Sequence, residues 1–297
     1  MLHQNKAEFL KILERTSAQT GFPLRLLEKD YYLTVILSRI NEGLSPGLIL
    51  KGGTCLNKIY YSYYRLSEDL DFSLKLPQDN PTRAIRRKTI SPIKESIKSF
   101  AKGFDMDIEN EDQAGHKESR QYIYYFGYSS VVLDKKDSIK LEIGLRFNPI
   151  LPVEAHEIKH KFLHPFTGKP LFDAGKANCL TLKELAAEKM RAAATRIGIA
   201  PRDFYDIGYL LKQGFDFRDK EFLSLFQQKL AEDGFPTDLS RYSRNLGRTD
   251  AEIIAMKSRL KDELFPVLTV NERDNFDIDR VLEKINGIFE QTGQFYR

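Results

Sequence analysis

Cysteine is scarce in this chain: only Cys55 and Cys179 occur among 297 residues. Two thiols support neither a disulfide framework nor a zinc cluster, and they suit a reducing compartment. Long apolar runs are missing as well. No stretch approaches the roughly 20 residues that span a bilayer. The opening MLHQNKAEFLKILERTS lacks the continuous apolar segment of a secretory signal. A cytoplasmic protein with no membrane partner is therefore expected. There is no internal repeat and no low-complexity tract. Neither sign of charge dominates, with 46 Lys and Arg against 42 Asp and Glu. That balance permits an acidic partner without demanding one. The hydrophobic fraction of 41% is that of a core-forming protein, and the length holds one large or two modest domains.

What is present concentrates in LILKGGTCLNKIYYSYYRLSEDLDFSL, residues 48–74. Leu48, Ile49 and Leu50 read as a short buried strand. Gly52-Gly53-Thr54 follows, a turn whose N–H groups can approach a phosphate because no Cβ intervenes at the glycines. A helix-length segment runs from Cys55 to about Tyr64. Then Leu70, Phe72 and Leu74 alternate with Asp69, Asp71 and Ser73. A strand has a side-chain period of two, so the apolar three face a core and the two aspartates project together from the other face. Neighbouring carboxylates repel unless a proton or cation lies between them. A divalent cation with oxygen ligands, of the kind Mg²⁺ prefers, fits that need. A phosphate turn beside a carboxylate pair points to nucleotide chemistry; the alternative is a plain tight turn beside a solvated strand face.

At these residues, Gly52-Gly53-Thr54 and Ser67-Glu68-Asp69-Leu70-Asp71, the chain resembles the nucleotidyltransferase-fold toxins of type IV toxin–antitoxin and abortive-infection systems, the AbiEii/AbiGii and MenT-like proteins. More distantly it is similar to the DNA polymerase β-like nucleotidyltransferases. Those enzymes usually carry Gly-Ser before the helix and a shorter gap to the aspartates, and Thr54 fits the toxin branch. The resemblance covers most of the chain, from Glu28-Lys29-Asp30-Tyr31 through Thr181 to Leu211. It implies an α+β fold, with a polymerase β-like nucleotidyltransferase sheet and a mainly helical C-terminal half. It also implies transfer of a nucleoside monophosphate from an NTP, with Mg²⁺ or Mn²⁺, to an RNA acceptor such as a tRNA 3′ end, and neutralisation by an antitoxin. In that scheme Asp69 and Asp71 hold the metal, and Gly52, Gly53, Thr54 and Ser67 bind the nucleotide. Two other readings stay open: transfer to a small-molecule or protein hydroxyl, and a nucleotide-binding module without transfer.

Further candidates lie downstream. Tyr122 to Leu133 and Ser138 to Phe147 read as a hairpin around Asp134-Lys135-Lys136-Asp137. In its second strand Lys140 and Glu142 share the polar face. The superfamily often has a third metal carboxylate on a neighbouring strand, and Glu142 matches it in type and context; a solvated hairpin face gives the same pattern. Residues 164–177 hold two prolines and two glycines and read as a linker. The expected domains are 1–178, nucleotidyltransferase-like with N-terminal helices, and 179–297, helical. Thr181-Leu182-Lys183-Glu184 reads as a capping box. The apolar stripe Leu182, Leu185, Ala186, Ala193, Ile197 encloses Lys189, which either snorkels to water or faces a polar pocket. The family's matching lysine contacts nucleotide phosphates, which implies that role for Lys189. Arg202-Asp203-Phe204-Tyr205-Asp206 matches a family pattern. It implies a functional Asp203, with Asp206 second or else a partner of Arg196 or Arg202.

Two features compete with this scheme. His156-Glu157-Ile158-Lys159-His160 satisfies the His-Glu-x-x-His pattern of zinc proteases, but that chemistry needs both histidines on one helix. The prolines around it argue for no such helix. Residues 81–103 carry seven Lys and Arg, read either as a solvated helix face or as a grip on RNA phosphates. Pro92 is expected to interrupt helix there.

Overall fold

A computed structural model of the chain describes residues 1–290. The fold is α+β, and it divides into two compact units, Met1–Thr181 and Leu182 onward. No helix among the described residues is long and apolar enough to cross a membrane.

The first unit opens with α1 (Lys6–Thr20) and α2 (Leu24–Leu37). Gly21 ends α1 in the left-handed region, at φ 76°, a conformation that costs glycine little. β1 (Leu48–Lys51) leads into α3 (Gly52–Cys55), whose last turns widen through residues 56–60. β2 (Asp69–Leu74) follows, then α4 (Arg83–Lys102). Short strands β3 (Asp107–Ile108) and β4 (Gly115–His116) pair with β5 (Gln121–Ser129), which pairs in turn with β6 (Lys136–Gly144). β7 (Glu154–Glu157) and β8 (Lys176–Cys179) complete one sheet in the order β3-β5-β6-β2-β1-β8-β7, with β4 beside β5. β2 runs parallel to β6 and β1 parallel to β8; the other pairs are antiparallel.

The register sorts the sheet into two faces. Leu70 lies opposite Leu141, Phe72 opposite Ile143, and Leu50 opposite Phe72. Tyr122, Tyr124 and Phe126 continue that row onto β5. Helices cover this apolar face: Phe100 of α4 meets the Phe126 ring at 6.3 Å, and Tyr32 of α2 meets Tyr128 at 4.0 Å. Because the period is two, every residue between these points off the opposite face.

The second unit is helical: α5 (Leu182–Thr195), α6 (Pro201–Lys212), α7 (Lys220–Glu232), α8 (Asp250–Ser258), α9 (Val270–Asp274) and α10 (Ile278–Glu290). Pro201 opens α6 at its first turn, where its missing N–H costs nothing. Between α5 and α7 the buried Lys229 ammonium reaches Glu184 at 2.7 Å, Glu232 at 3.4 Å and Glu188 at 3.7 Å.

Several expectations need correction. Residues 164–177 are no linker: His164 N–H donates to Lys169 O, Leu163 bridges Pro170, and Lys176 opens β8 inside the first unit. Cys179, expected in the second domain, is the last residue of β8. Pro92 does not break its helix, and α4 runs through it. The hairpin strands end earlier than alternation suggests, at Ser129 and Gly144. Ile197 lies past the end of α5 and is exposed, outside the apolar stripe assigned to it.

Candidate active site

The sheet face opposite that apolar row carries the chemistry. Across the strands, Lys51 of β1 lies opposite Asp71 of β2, Asp71 opposite Glu142 of β6, and Glu142 opposite Ile123 of β5. One row along, Asp69 lies opposite Lys140, and Lys140 opposite Tyr125. Acids and cations thus interleave on a lattice fixed by backbone pairing. Neighbouring strands lie about 4.8 Å apart, so Asp71 and Glu142 are immediate neighbours. Burial and the adjoining Glu142 push the Asp71 carboxyl up to about 6, against the pull of Lys51, with Asp69 adding to the push. Lys140 Nζ donates to Glu142 Oε2 at 3.0 Å. Burial opposes ionisation of Glu142, but Lys140 and a hydrogen bond from Gln121 carry its carboxyl below the ordinary value. Burial likewise opposes charge on Lys140, yet Glu142, Asp69 and Asp71 together raise its pKa.

The glycine turn is built against these carboxylates. Gly52 has φ +71°, and a methyl there would come within 2.5 Å of Asp71 Oδ2. Both backbone angle and space therefore demand glycine. A methyl on Gly53 would come within 2.5 Å of Arg65 Nη2 and 3.1 Å of Ser67 Oγ. Gly53, Ser67 and the buried Arg65 guanidinium thus meet behind the turn. Thr54 Oγ1 donates to Asp69 O at 2.5 Å, so its hydroxyl ties the turn to the start of β2. Below the turn lies a fully buried ion pair, Lys58 with Asp30 at 2.7 Å. The same ammonium donates to Thr34 Oγ1 at 2.8 Å and Tyr63 OH at 3.0 Å. Burial lowers the Lys58 pKa, and Asp30 opposes that shift. This network ties α2 to the helix that carries the glycine turn. It also explains why Asp30 is buried in α2.

The carboxylate face fits a divalent cation by donor chemistry: the acids offer only oxygen. The upward push on Asp71 comes first from burial and then from Glu142 and Asp69, against the pull of Lys51 and Lys140. Among the described residues no three acidic, His or Cys side chains converge into a closed metal cage; Glu142 is turned onto Lys140 instead. Asp69 and Asp71 are the side chains that would hold the ion, with Glu142 joining once it leaves Lys140.

In the second unit Lys189 neither snorkels nor lies in apolar packing. Its ammonium bridges two buried acids, Asp206 at 2.8 Å and Asp203 at 3.0 Å. Arg196, one of the two arginines expected beside Asp206, pairs with Asp203 at 3.4 Å. The His-Glu-x-x-His segment lies on edge strand β7 and the loop after it, not on a helix. His156 pairs with Glu154 at 2.8 Å, while His160 stacks on Phe172 at 4.2 Å. Sequence reasoning missed Lys51, Arg65 and Gln121. Lys51 and Arg65 were legible only as basic residues flanking the motif at either end.

The structure is similar to MenT4, a nucleotidyltransferase toxin from Mycobacterium tuberculosis, with TM-score 0.55 and 15% identity over 96% of this chain and 95% of that one. It is also similar to JHP933 from Helicobacter pylori, with TM-score 0.46 and 16% identity over 92% of this chain and 94% of that one. No curated protein matches the chain in sequence. The family model described as nucleotidyl transferase AbiEii toxin, type IV toxin–antitoxin system, matches residues 35–288. That match spans most of the molecule, and the chain belongs to this family of nucleotidyltransferase toxins.

Proposed function

We propose that the chain moves a nucleoside monophosphate from an NTP to the 3′ hydroxyl of an RNA, with tRNA as the acceptor, in the cytoplasm and under the control of a cognate antitoxin. One observation supports the chemistry above others: backbone register sets Asp71 between Lys51 and Glu142, with Gly52 packed on its carboxylate. The acceptor oxygen bonds to the α-phosphorus as the bond to the bridging oxygen breaks. Pyrophosphate departs with the electron pair, and the hydroxyl proton passes to solvent or a carboxylate. The backbone N–H groups of the Gly52-Gly53 turn take the phosphate oxygens, and Ser67 packs behind it. Mg²⁺ or Mn²⁺ held by Asp69 and Asp71, with Glu142, would offset charge on the attacking and leaving oxygens. Lys189 supplies a cation for the outer phosphates, and Asp203 holds that ammonium in place. RNA and antitoxin enter through the family to which the chain belongs.

The test is direct. Purified protein is incubated with each α-labelled NTP, Mg²⁺ and total cellular RNA. Label should appear in a tRNA-sized band, vanish with EDTA, and be absent from Asp69→Ala and Asp71→Ala. Label in a protein band or a small molecule would move the acceptor to another class. Normal labelling by both variants would remove the assigned carboxylates from the reaction.

A further inference from the structure

The same face that carries the acids ends in an apolar shelf. Ile123 continues the row of Asp71 and Glu142, and Tyr125 continues the row of Asp69 and Lys140. Both belong to β5, two strand spacings from β2 and so about 10 Å from the aspartates. Tyr125 is 37% exposed. On the opposite face of β5, Tyr124, Phe126 and Tyr128 are buried in the core. An aromatic ring left open on the polar face is not needed for the core. Its backbone is held firmly: Asn110 Oδ1 accepts from Tyr125 N–H at 3.0 Å, and Tyr125 O accepts from Glu109 N–H at 3.0 Å. Lys140, in the adjoining row position, gives the shelf a positive neighbour.

We infer that Tyr125, with Ile123 beside it, is the platform on which the last base of the RNA acceptor stacks. Direction decides which substrate the shelf takes. Phosphoryl transfer places the attacking and leaving oxygens in line across the phosphorus. The glycine turn follows β1, on one side of β2, and takes the departing pyrophosphate. The attacking hydroxyl then approaches from the other side, over β6 and β5. A base stacked on Tyr125 sets its own ribose toward Glu142 and the aspartates, and Lys140 faces its 5′ phosphate. Every base has a π-face, so such a shelf accepts any terminal nucleotide. A serine hydroxyl brings no ring to stack on it.

This inference rests on the proposed nucleotidyl transfer, and its test separates the two. Wild type, Tyr125→Ser and Tyr125→Phe are compared on two short RNAs, one intact and one whose last nucleotide lacks its base. Loss of stacking should raise the KM of Tyr125→Ser for the intact RNA roughly tenfold, with kcat, NTP KM and melting temperature unchanged. Tyr125→Phe should match wild type. Removing the terminal base should cost wild type the same factor and cost Tyr125→Ser nothing more. Equal losses for both proteins on the abasic RNA, or a wild-type KM in Tyr125→Ser, overturn the platform while leaving nucleotidyl transfer intact. If wild type labels no RNA, the RNA reading has failed by itself. Fluorescence anisotropy of the same two RNAs then still decides the shelf, because wild-type binding indifferent to the terminal base overturns it.

Discussion

Gly52 and Asp71 show how closely single residues constrain one another here. Gly52→Ala must place a methyl 2.5 Å from Asp71 Oδ2 in a backbone at φ +71°. The angle alone costs about 1–2 kcal/mol for a residue with a Cβ. The carboxylate has to move as well, so transfer should collapse although the folded state survives; circular dichroism beside the labelling assay checks both. Asp71 itself carries a linkage. Its carboxyl is raised to about 6 in the folded protein by burial, Glu142 and Asp69. Below pH about 4 the group is protonated folded or unfolded, and its contribution is fully present. Between about 4 and 6 the folded state keeps a proton that the unfolded state has released, so stability falls as pH rises. Asp71→Asn should therefore abolish transfer and yet stabilise the metal-free protein at pH 7. The gain should be about 1–2 kcal/mol after allowance for the partial exposure of the group. Thermal melts in EDTA across that range test it: the stability advantage of the variant over wild type should widen from pH 4 to 6 and level off above it. Asp69 and Asp71 were legible because alternation puts both on one face. Arg65 and Lys51 were not, because alternation names a face and says nothing about which strand or side chain lies opposite.

Among elements, helices α5 and α6 are joined by one ammonium shared between two acids, and this changes what a Lys189 substitution measures. Lys189→Met leaves Asp203 and Asp206 buried without that cation. Removing one member of a buried ion pair costs about 3–5 kcal/mol. The variant should thus melt far below wild type whether or not Lys189 touches a nucleotide. Lys189→Met combined with Asp206→Asn removes much of that penalty. If Lys189 meets the outer phosphates, the double variant should be stable and still bind NTP at least tenfold more weakly, with NMP binding little changed, as expected for loss of a charge-assisted contact worth about 1.5–3 kcal/mol. Isothermal titration with both ligands decides it, and full NTP affinity in the double variant would confine Lys189 to structure. The helical periodicity of α5 was legible, but the partners of Lys189 were not. Long-range acids at Asp203 and Asp206 leave no mark in the local pattern of the helix. The same holds for Glu184, whose carboxylate reaches Lys229 of α7 at 2.7 Å.

At the scale of the first unit as a whole, the sheet separates two charged surfaces. Asp69, Asp71 and Glu142 point off one face; α4 covers the other, with Ile90, Ile93 and Ile97 buried beneath it. The exposed side of α4 carries Arg83, Arg87, Lys94, Lys98 and Lys102 at helical spacing, with Lys98 already paired to Glu111 at 3.1 Å. Arg86 does not belong to that stripe. It is buried, with Nη1 donating to Pro81 O and Nη2 to Glu118 O at 3.2 Å, so it braces the start of the helix. Composition made the basic segment conspicuous, but only the layer order shows where its charges point. A helix about 10 Å in diameter lies between the stripe and the sheet. Charges there are more than a Debye length, about 8 Å at 0.15 M salt, from the carboxylates. They raise the local attraction for polyanions at low salt and are screened at the site itself. The triple reversal Arg87→Glu, Lys94→Glu and Lys98→Glu should therefore leave the RNA KM and kcat unchanged at 0.15 M salt, while flattening the salt dependence of association below it. Stopped-flow binding and steady-state labelling over the same salt series read both quantities. A large rise in acceptor KM at 0.15 M salt would mean that the RNA body wraps around the edge of the sheet onto α4, and that the acceptor is gripped on both faces while its end is held on one.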